Sequence, residues 1–368
     1  METNAKIRCI SFNQGNTTFV AGTDRGFVMY RVNPLEKLSE RDLGGGIGIA
    51  SQLFETNFVG LVGGGDNPLH PVNQFVLWND YTAPSGSVIA TIVEKDKIVA
   101  VRLNHDVVAV VTRKAAMLYS LQDMKPIREK IKTAPNVDGV CDLSSTTGTV
   151  FLCPGIEVGT VNIVDYKNKT ERIVSCCTHP LRSITLNTSP DLSEASAAAQ
   201  AAPKGVAPDS LFATTSQEGT LVRVFDVATQ TKLKELRRGT DACEIYGVRF
   251  SSDSRCLTLT SSKNTAHVFS LTKDFENQSS RAGWLGGYFG SEWSSFPIEF
   301  APMSTLAPQP GGPQFQPRVG PVRHVSCIFP TSGTDAFRLL IVAHDGSYAV
   351  HDLQFKDHKS IPRTSGMF

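Results

Sequence analysis

Apolar positions along the chain come in short runs, alternating or continuous, bounded by Gly, Asn, Asp and Ser, and a period of 3.6 residues is hardly sustained anywhere. Runs of this kind read as β-strands, so the chain is expected to be all-β. One unit recurs: a small or polar turn, then an alternating strand that ends on an aromatic or acidic residue. It occurs as Gly26–Arg31, Gln74–Asp80, Ala116–Ser120, Gly159–Asp165, Gly219–Asp226, Thr265–Phe269 and Gly346–Asp352. In the first half the copies lie about 40 to 48 residues apart, the period of a four-stranded propeller blade.

Seven such copies predict a seven-bladed β-propeller of WD-repeat type, because a lone four-stranded sheet exposes both faces and its edges, and radial packing of blades covers them. The whole chain, 1–368, is expected to form this single domain. Two spacings are longer, and each contains an insertion. Residues 190–210, rich in Ala, Ser and Pro, read as a flexible surface loop of blade five, and 272–321 as a long loop of blade six that ends in a Pro- and Gly-rich stretch. The first run, Ile7 to Phe12, is expected to complete the last blade and close the ring.

With 36 basic against 35 acidic residues, the chain lacks the overall positive field of a protein held to nucleic acid by bulk charge. Any anion site must be local. Eight scattered cysteines, with no C-x-x-C pair, favour reduced, buried thiols in a cytosolic protein over disulfides or a zinc site. The N-terminus does not resemble a secretory signal, and no stretch approaches the roughly 20 apolar residues needed to span a bilayer. Membrane contact is therefore expected to be peripheral.

Candidate chemistry concentrates at Leu236-Arg237-Arg238-Gly239. Successive side chains of a strand point to opposite faces, so Arg237 and Arg238 are expected to be exposed in two different blade-to-blade grooves, with Gly239 allowing a tight turn. A planar guanidinium suits bidentate phosphate recognition. His179, Ser216, Thr220 and Arg223 upstream, and Thr260, Ser261, Thr265 and His267 downstream, occupy matching places in adjacent repeats, and their hydroxyls and imidazoles supply neutral donors around each fixed guanidinium.

Here the sequence resembles the PROPPINs, β-propellers that bind phosphoinositides in autophagy and endosomal traffic, and among them the shorter branch. The resemblance also rests on Cys9–Gln14, Gly22–Phe27, Gly44–Gly48, Leu53–Asn57, Leu61–Gly65, Gly219–Phe225 and Asp345–Tyr348, in the family order. It implies two headgroup pockets split by the arginine pair: His179, Ser216, Thr220, Arg223 and Arg237 in one, and Arg238, Thr260, Ser261, Thr265 and His267 in the other. The implied ligands are phosphatidylinositol 3-phosphate and the 3,5-bisphosphate. The implied partner is the lipid-transfer protein of autophagosome growth, reached through blades one to three, although Asn13-Gln14-Gly15 lacks the carboxylate of the Asn-Gln-Asp common in the family. A cytoplasmic protein bound peripherally to autophagosomal precursor, endosomal or vacuolar membranes follows.

In the long insertion, Trp284, Leu285, Tyr288 and Phe289 among glycines suit the headgroup boundary and are expected to enter the membrane, with segment 288–293 alternatively packing back on the blade. Other motifs read as structural. Gly44–Gly48 and Gly63–Gly65 lack the following helix and Lys-Ser/Thr of a phosphate loop. His70, His105, His324, His344, His351 and His358 read as solvated or turn residues, and Asp142, Asp165 and Asp226 as turn positions. No cofactor, metal or enzymatic activity is expected. Two readings compete: a WD-repeat scaffold without lipid binding, and a hydrolase with carboxylates converging in the central channel.

Overall fold

The computed structural model describes residues 5–81, 86–145, 148–187, 206–272, 277, 291–302, 322–331 and 335–368. Within them lie seven sheets, one per blade, antiparallel except for one short parallel strand added to blade five, and no helix. Each recurring unit of the sequence falls on the third strand of its blade, from Gly26–Arg31 in blade one to Ser347–Gln354 in blade seven. Its turn-and-strand pattern repeats because the third strand packs on both neighbouring blades and must turn sharply from the second.

The core consists of clusters between consecutive blades. Val222, Val224 and Leu236 of blade five pack with Leu257, Leu259 and Phe269 of blade six. Phe212 and Phe225, stacked 5.1 Å apart, turn instead towards Ile163, Val174 and Cys176 of blade four. Strand alternation thus sends odd and even positions of one sheet into different grooves. All eight cysteines are free, and burial pushes the Cys9 and Cys141 thiols up to about 11, which leaves them protonated and inert.

Ring closure differs from the sequence-based expectation. Ile7–Phe12 does not complete the last blade; it pairs with Thr18–Thr23 as the innermost strand of blade one, and blade seven supplies its own four strands. Side-chain packing closes the ring: Phe12, Phe19, Tyr30 and Val32 of blade one meet Cys327, Leu340 and Val342 of blade seven. Phe368 caps this seam, edge-on to Phe19 at 5.4 Å and to Tyr30 at 5.1 Å.

Residues 188–205, between the first and second strands of blade five, lie outside the described residues, as does most of the blade-six insertion. The span 272–321 is not all loop, however. Glu292–Trp293 forms a short strand parallel to Lys232–Arg237 of blade five, and Phe296–Glu299 is the outer strand of blade six. His324, expected at a turn or in solvent, is fully buried, its Nδ1 3.0 Å from the Val322 carbonyl oxygen. Asp165 and Asp226 do stabilise turns, accepting from backbone N–H groups of Asn168 and Thr229, whereas Asp142 lies on the inner strand of blade four.

Candidate phosphate-binding grooves flanking blade five

The outer strand of blade five, Lys232–Arg237, places the arginine pair. Leu236 is fully buried in the core shared with blade six, so its neighbours Glu235 and Arg237 face blade four. Arg237 is half-buried, lies opposite Leu221, and donates from Nε to Ser291 Oγ at 3.0 Å. Arg238 follows on the blade-six side. Its Nε donates to the Gly219 carbonyl at 2.8 Å, and its Nη2 to the Asp241 carbonyl.

Arg238 is only 7 % exposed. This departs from the expectation that both guanidinium groups stand free: the backbone carbonyls of the Gly219 and Asp241 turns draw Arg238 against the protein. Among the described residues no carboxylate lies within ion-pair distance of it, so its charge keeps the capacity to meet an anion. Gly219, not Gly239, is the glycine the site requires. Gly219 has φ +65° and a Cβ there would collide with the Cys243 carbonyl, whereas Gly239 has open space around it.

On the blade-six side, Ser261, Thr265 and His267 share the parity of Leu259 and Phe269 and so face Arg238 across the groove. The Thr265 hydroxyl lies 3.1 Å from His267 Nε2, and Ser294 Oγ 3.1 Å from His267 Nδ1. Ser261 Oγ is buried with no hydrogen-bond partner among the described residues, a polar atom left for a ligand. Thr260 has the opposite parity. Its hydroxyl donates to the His324 carbonyl at 2.8 Å and ties blade six to blade seven, so it stands apart from the other three.

Burial, and then the nearby Arg238 charge, hold the His267 imidazole down to about 4. It is neutral at pH 7, able to donate from one ring nitrogen and accept at the other. The folded value lies below the usual 6.5, so the unfolded chain binds more protons between the two. Stability is therefore expected to be full above about pH 6.5 and to fall by roughly 3 kcal/mol at most as the pH drops to about 4. Urea midpoints at pH 7 and 4.5, compared between the wild type and His267→Asn, would check this; an equal pH slope in both would refute it.

On the blade-four side, Ser216 is buried on the same face as Phe212, and Arg223 on the same face as Phe225. Arg223 is engaged by Glu235, Nε to Oε2 at 2.9 Å, and the same carboxylate oxygen also pairs with Lys232. His179 is exposed at the blade-four rim, with Nε2 3.2 Å from Glu218 Oε1. Thr220 contributes its carbonyl, which accepts from the Arg238 N–H at 2.9 Å.

The sequence reading missed two residues, Ser291 and Ser294. They flank the short parallel strand and reach Arg237 and His267 respectively, bridging the two grooves. Nothing local marks them, because pairing with blade five is a contact across 54 to 58 positions. They also place the return of the long insertion against Arg237 and His267, one from each groove. Trp284, Leu285, Tyr288 and Phe289 themselves lie outside the described residues. Among the described residues no helix is long and apolar enough to cross a membrane.

Comparison with known proteins agrees with the fold. The chain is 30% identical over 300 residues to SVP1-like protein 2 of Pichia angusta, covering 77% of this chain and 78% of that one. It is 28% identical over 277 residues to autophagy-related protein 18e of Arabidopsis thaliana, covering 74% and 68%. Against SVP1-like protein 2 of Neurospora crassa, 29% identical, the match covers 73% of this chain and 57% of that longer protein. The crystal structure of Hsv2 from Kluyvelomyces marxianus superposes with a TM-score of 0.71, at 18% identity and 99% coverage of each chain, which confirms the fold. The PROPPIN family profile matches residues 6–304, most of the ring and both grooves beside blade five, and the chain belongs to the PROPPIN family.

Proposed function

We propose that the protein is a phosphoinositide-binding propeller of the autophagy machinery that docks on membranes through the two grooves beside blade five and acts as a binding protein rather than an enzyme. The observation that carries this reading is the division of the arginine pair. Arg237 turns to blade four and Arg238 to blade six, so each groove receives one guanidinium and its own hydroxyls. In the blade-six groove, Arg238, His267, Thr265 and the unpartnered Ser261 hydroxyl suit a phosphorylated inositol ring: one fixed cation for a phosphate and neutral groups for ring hydroxyls. In the blade-four groove, Arg237, Ser216, Thr220, Arg223 and His179 play the corresponding parts, with Arg223 steadied by Glu235.

Phosphatidylinositol 3-phosphate and the 3,5-bisphosphate are the proposed ligands, on autophagosomal precursor, endosomal or vacuolar membranes reached from the cytoplasm. Co-sedimentation with vesicles that contain or lack phosphatidylinositol 3-phosphate tests this. Binding only to the former supports lipid recognition. Equal binding to both, or none, favours the scaffold reading.

The blade-six insertion is proposed to add an apolar contact, because its return strand sits beside Arg237 and reaches His267. Two headgroup sites and one inserted loop act by effective concentration, so losing one weakens the whole. Trp284→Ser combined with Leu285→Ser is expected to lower vesicle affinity about tenfold or more while sparing soluble headgroup. A matching fall in headgroup affinity would end the insertion idea. A protein partner is proposed to bind through blades one to three, such as the autophagy lipid-transfer protein. A solved relative, KlAtg21, is described in complex with the coiled coil of AgAtg16.

A further inference from the structure

The inner strands of six blades carry, at one shared register, Ser11, Ser51, Arg102, Asp142, Thr185 and Arg249. Each pairs with the third residue of its blade's second strand: Val20, Gly60, Ala109, Leu152, Ala213 and Thr258. Six side chains from six blades therefore form one polar ring around the central channel, a cavity of about 420 Å³. Two members are guanidinium groups and one is a carboxylate.

The carboxylate is committed. Asp142 accepts from the backbone N–H groups of Leu143 at 3.1 Å and Leu186 at 2.8 Å, and lies 3.4 Å from Arg102. Arg249 has no carboxylate within ion-pair distance among the described residues. One Nη donates to Asn16 Oδ1 at 3.1 Å, and the guanidinium carbon lies 5.3 Å from the centre of the Phe12 ring. Near the start of the same strands the pattern is reversed: Arg182 pairs with Asp138 and Glu244, Arg323 with Glu244, and Arg8 with Asp66. Among the described residues the other channel arginines are thus paired with carboxylates, Arg102 with Asp142 included, and Arg249 is the exception.

The ring is also roofed. The turn after the first strand of blade one crosses the channel mouth. Gln14 donates to the Leu103 carbonyl of blade three at 2.7 Å, and Asn16 to the Phe250 carbonyl of blade six at 3.2 Å. Beneath this roof an unpaired guanidinium is costly, because low dielectric strengthens the demand for a counter-charge. Burial depresses the Arg249 affinity for its proton, in keeping with that demand.

We propose that this ring is an oxyanion site, which takes a phosphate group held by Arg249 and Arg102 with the hydroxyls of Ser11, Ser51 and Thr185. The site is separate from the lipid grooves, which lie between blades on the outer side of blade five. A cavity of this volume accommodates either a lone phosphate or a phosphorylated sugar ring such as an inositol polyphosphate. Both present the same chemistry to a guanidinium fork.

Isothermal titration of the full chain in phosphate-free buffer, with inorganic phosphate in one arm and inositol hexakisphosphate in the other, tests the site and its source. Saturable binding in the first arm identifies a lone phosphate; binding only in the second identifies a polyphosphorylated ring. Arg249→Gln is expected to weaken either by at least tenfold and Arg249→Lys by less. Because the lipid grooves also suit a phosphorylated inositol ring, both arms are repeated in the Arg237→Thr, Arg238→Thr double variant, which loses vesicle binding but should keep the binding that Arg249→Gln weakens. If Arg249→Gln fails to fold, Thr185→Val and Ser51→Ala decide, each lowering affinity several-fold. No heat in either arm, undiminished affinity when Arg249→Gln is added to the groove variant, or complete loss of binding in the groove variant itself would overturn the proposal.

Discussion

Replacing Arg237 and Arg238 together with Thr is expected to reduce sedimentation with phosphatidylinositol 3-phosphate vesicles to the level seen with vesicles lacking it. Each charge-assisted hydrogen bond to phosphate contributes about 1.5–3 kcal/mol, and the two grooves bind one membrane jointly, so losing both guanidinium groups removes several orders of magnitude in affinity. Single variants should fall between. Arg237→Thr leaves the blade-six groove intact, and Arg238→Thr leaves the blade-four groove.

The double variant also has a structural cost, which falls on Arg238 alone. Its guanidinium is buried and holds the Gly219 and Asp241 turns through their carbonyls, so removing it should lower stability by about 1–3 kcal/mol. Arg237 is only half-buried and donates to Ser291 of the returning strand, so its loss should cost less. Urea unfolding of both single variants separates the two effects. A double variant that stays folded and still sediments as the wild type does would refute the lipid site. A wild-type-like midpoint for Arg238→Thr would refute its structural role.

Phe19→Ala is expected to destabilise the ring by about 3–5 kcal/mol, among the largest effects of a single substitution. Phe19 is fully buried at the seam between blades one and seven, stacked 4.9 Å from Tyr30 and edge-on to Phe12 at 5.6 Å. Among the described residues no strand is exchanged across this seam, so side-chain packing there bears the closure that a shared strand would otherwise provide. A loss below 1 kcal/mol in chemical denaturation would show that closure is carried elsewhere. The vesicle affinity of the folded fraction should not change, because the seam lies away from blade five.

The seven third strands were legible because their signal is local: a turn residue followed by alternation that needs no knowledge of the rest of the chain. The same alternation sent Arg237 and Arg238 to different grooves, since Leu236 between blade-four-facing neighbours fixes the parity. Arg238, Ser261, Thr265 and His267 came together as their places in adjacent repeats implied. Thr260 did not, because one step along a strand reverses the face, and its hydroxyl was claimed by the His324 carbonyl.

Local pattern therefore determined the all-β class, the blade count and the sides to which the two arginines turn, since strand period and turn chemistry act within a few residues. Tertiary structure alone decided the closure of the ring by the Phe19 seam, the burial of Arg238, the arrival of Ser291 and Ser294 beside Arg237 and His267, and the ring around Arg249. Each of these depends on contacts between residues tens to hundreds of positions apart. Such contacts follow from how seven sheets pack about an axis, and no short stretch of sequence carries that information.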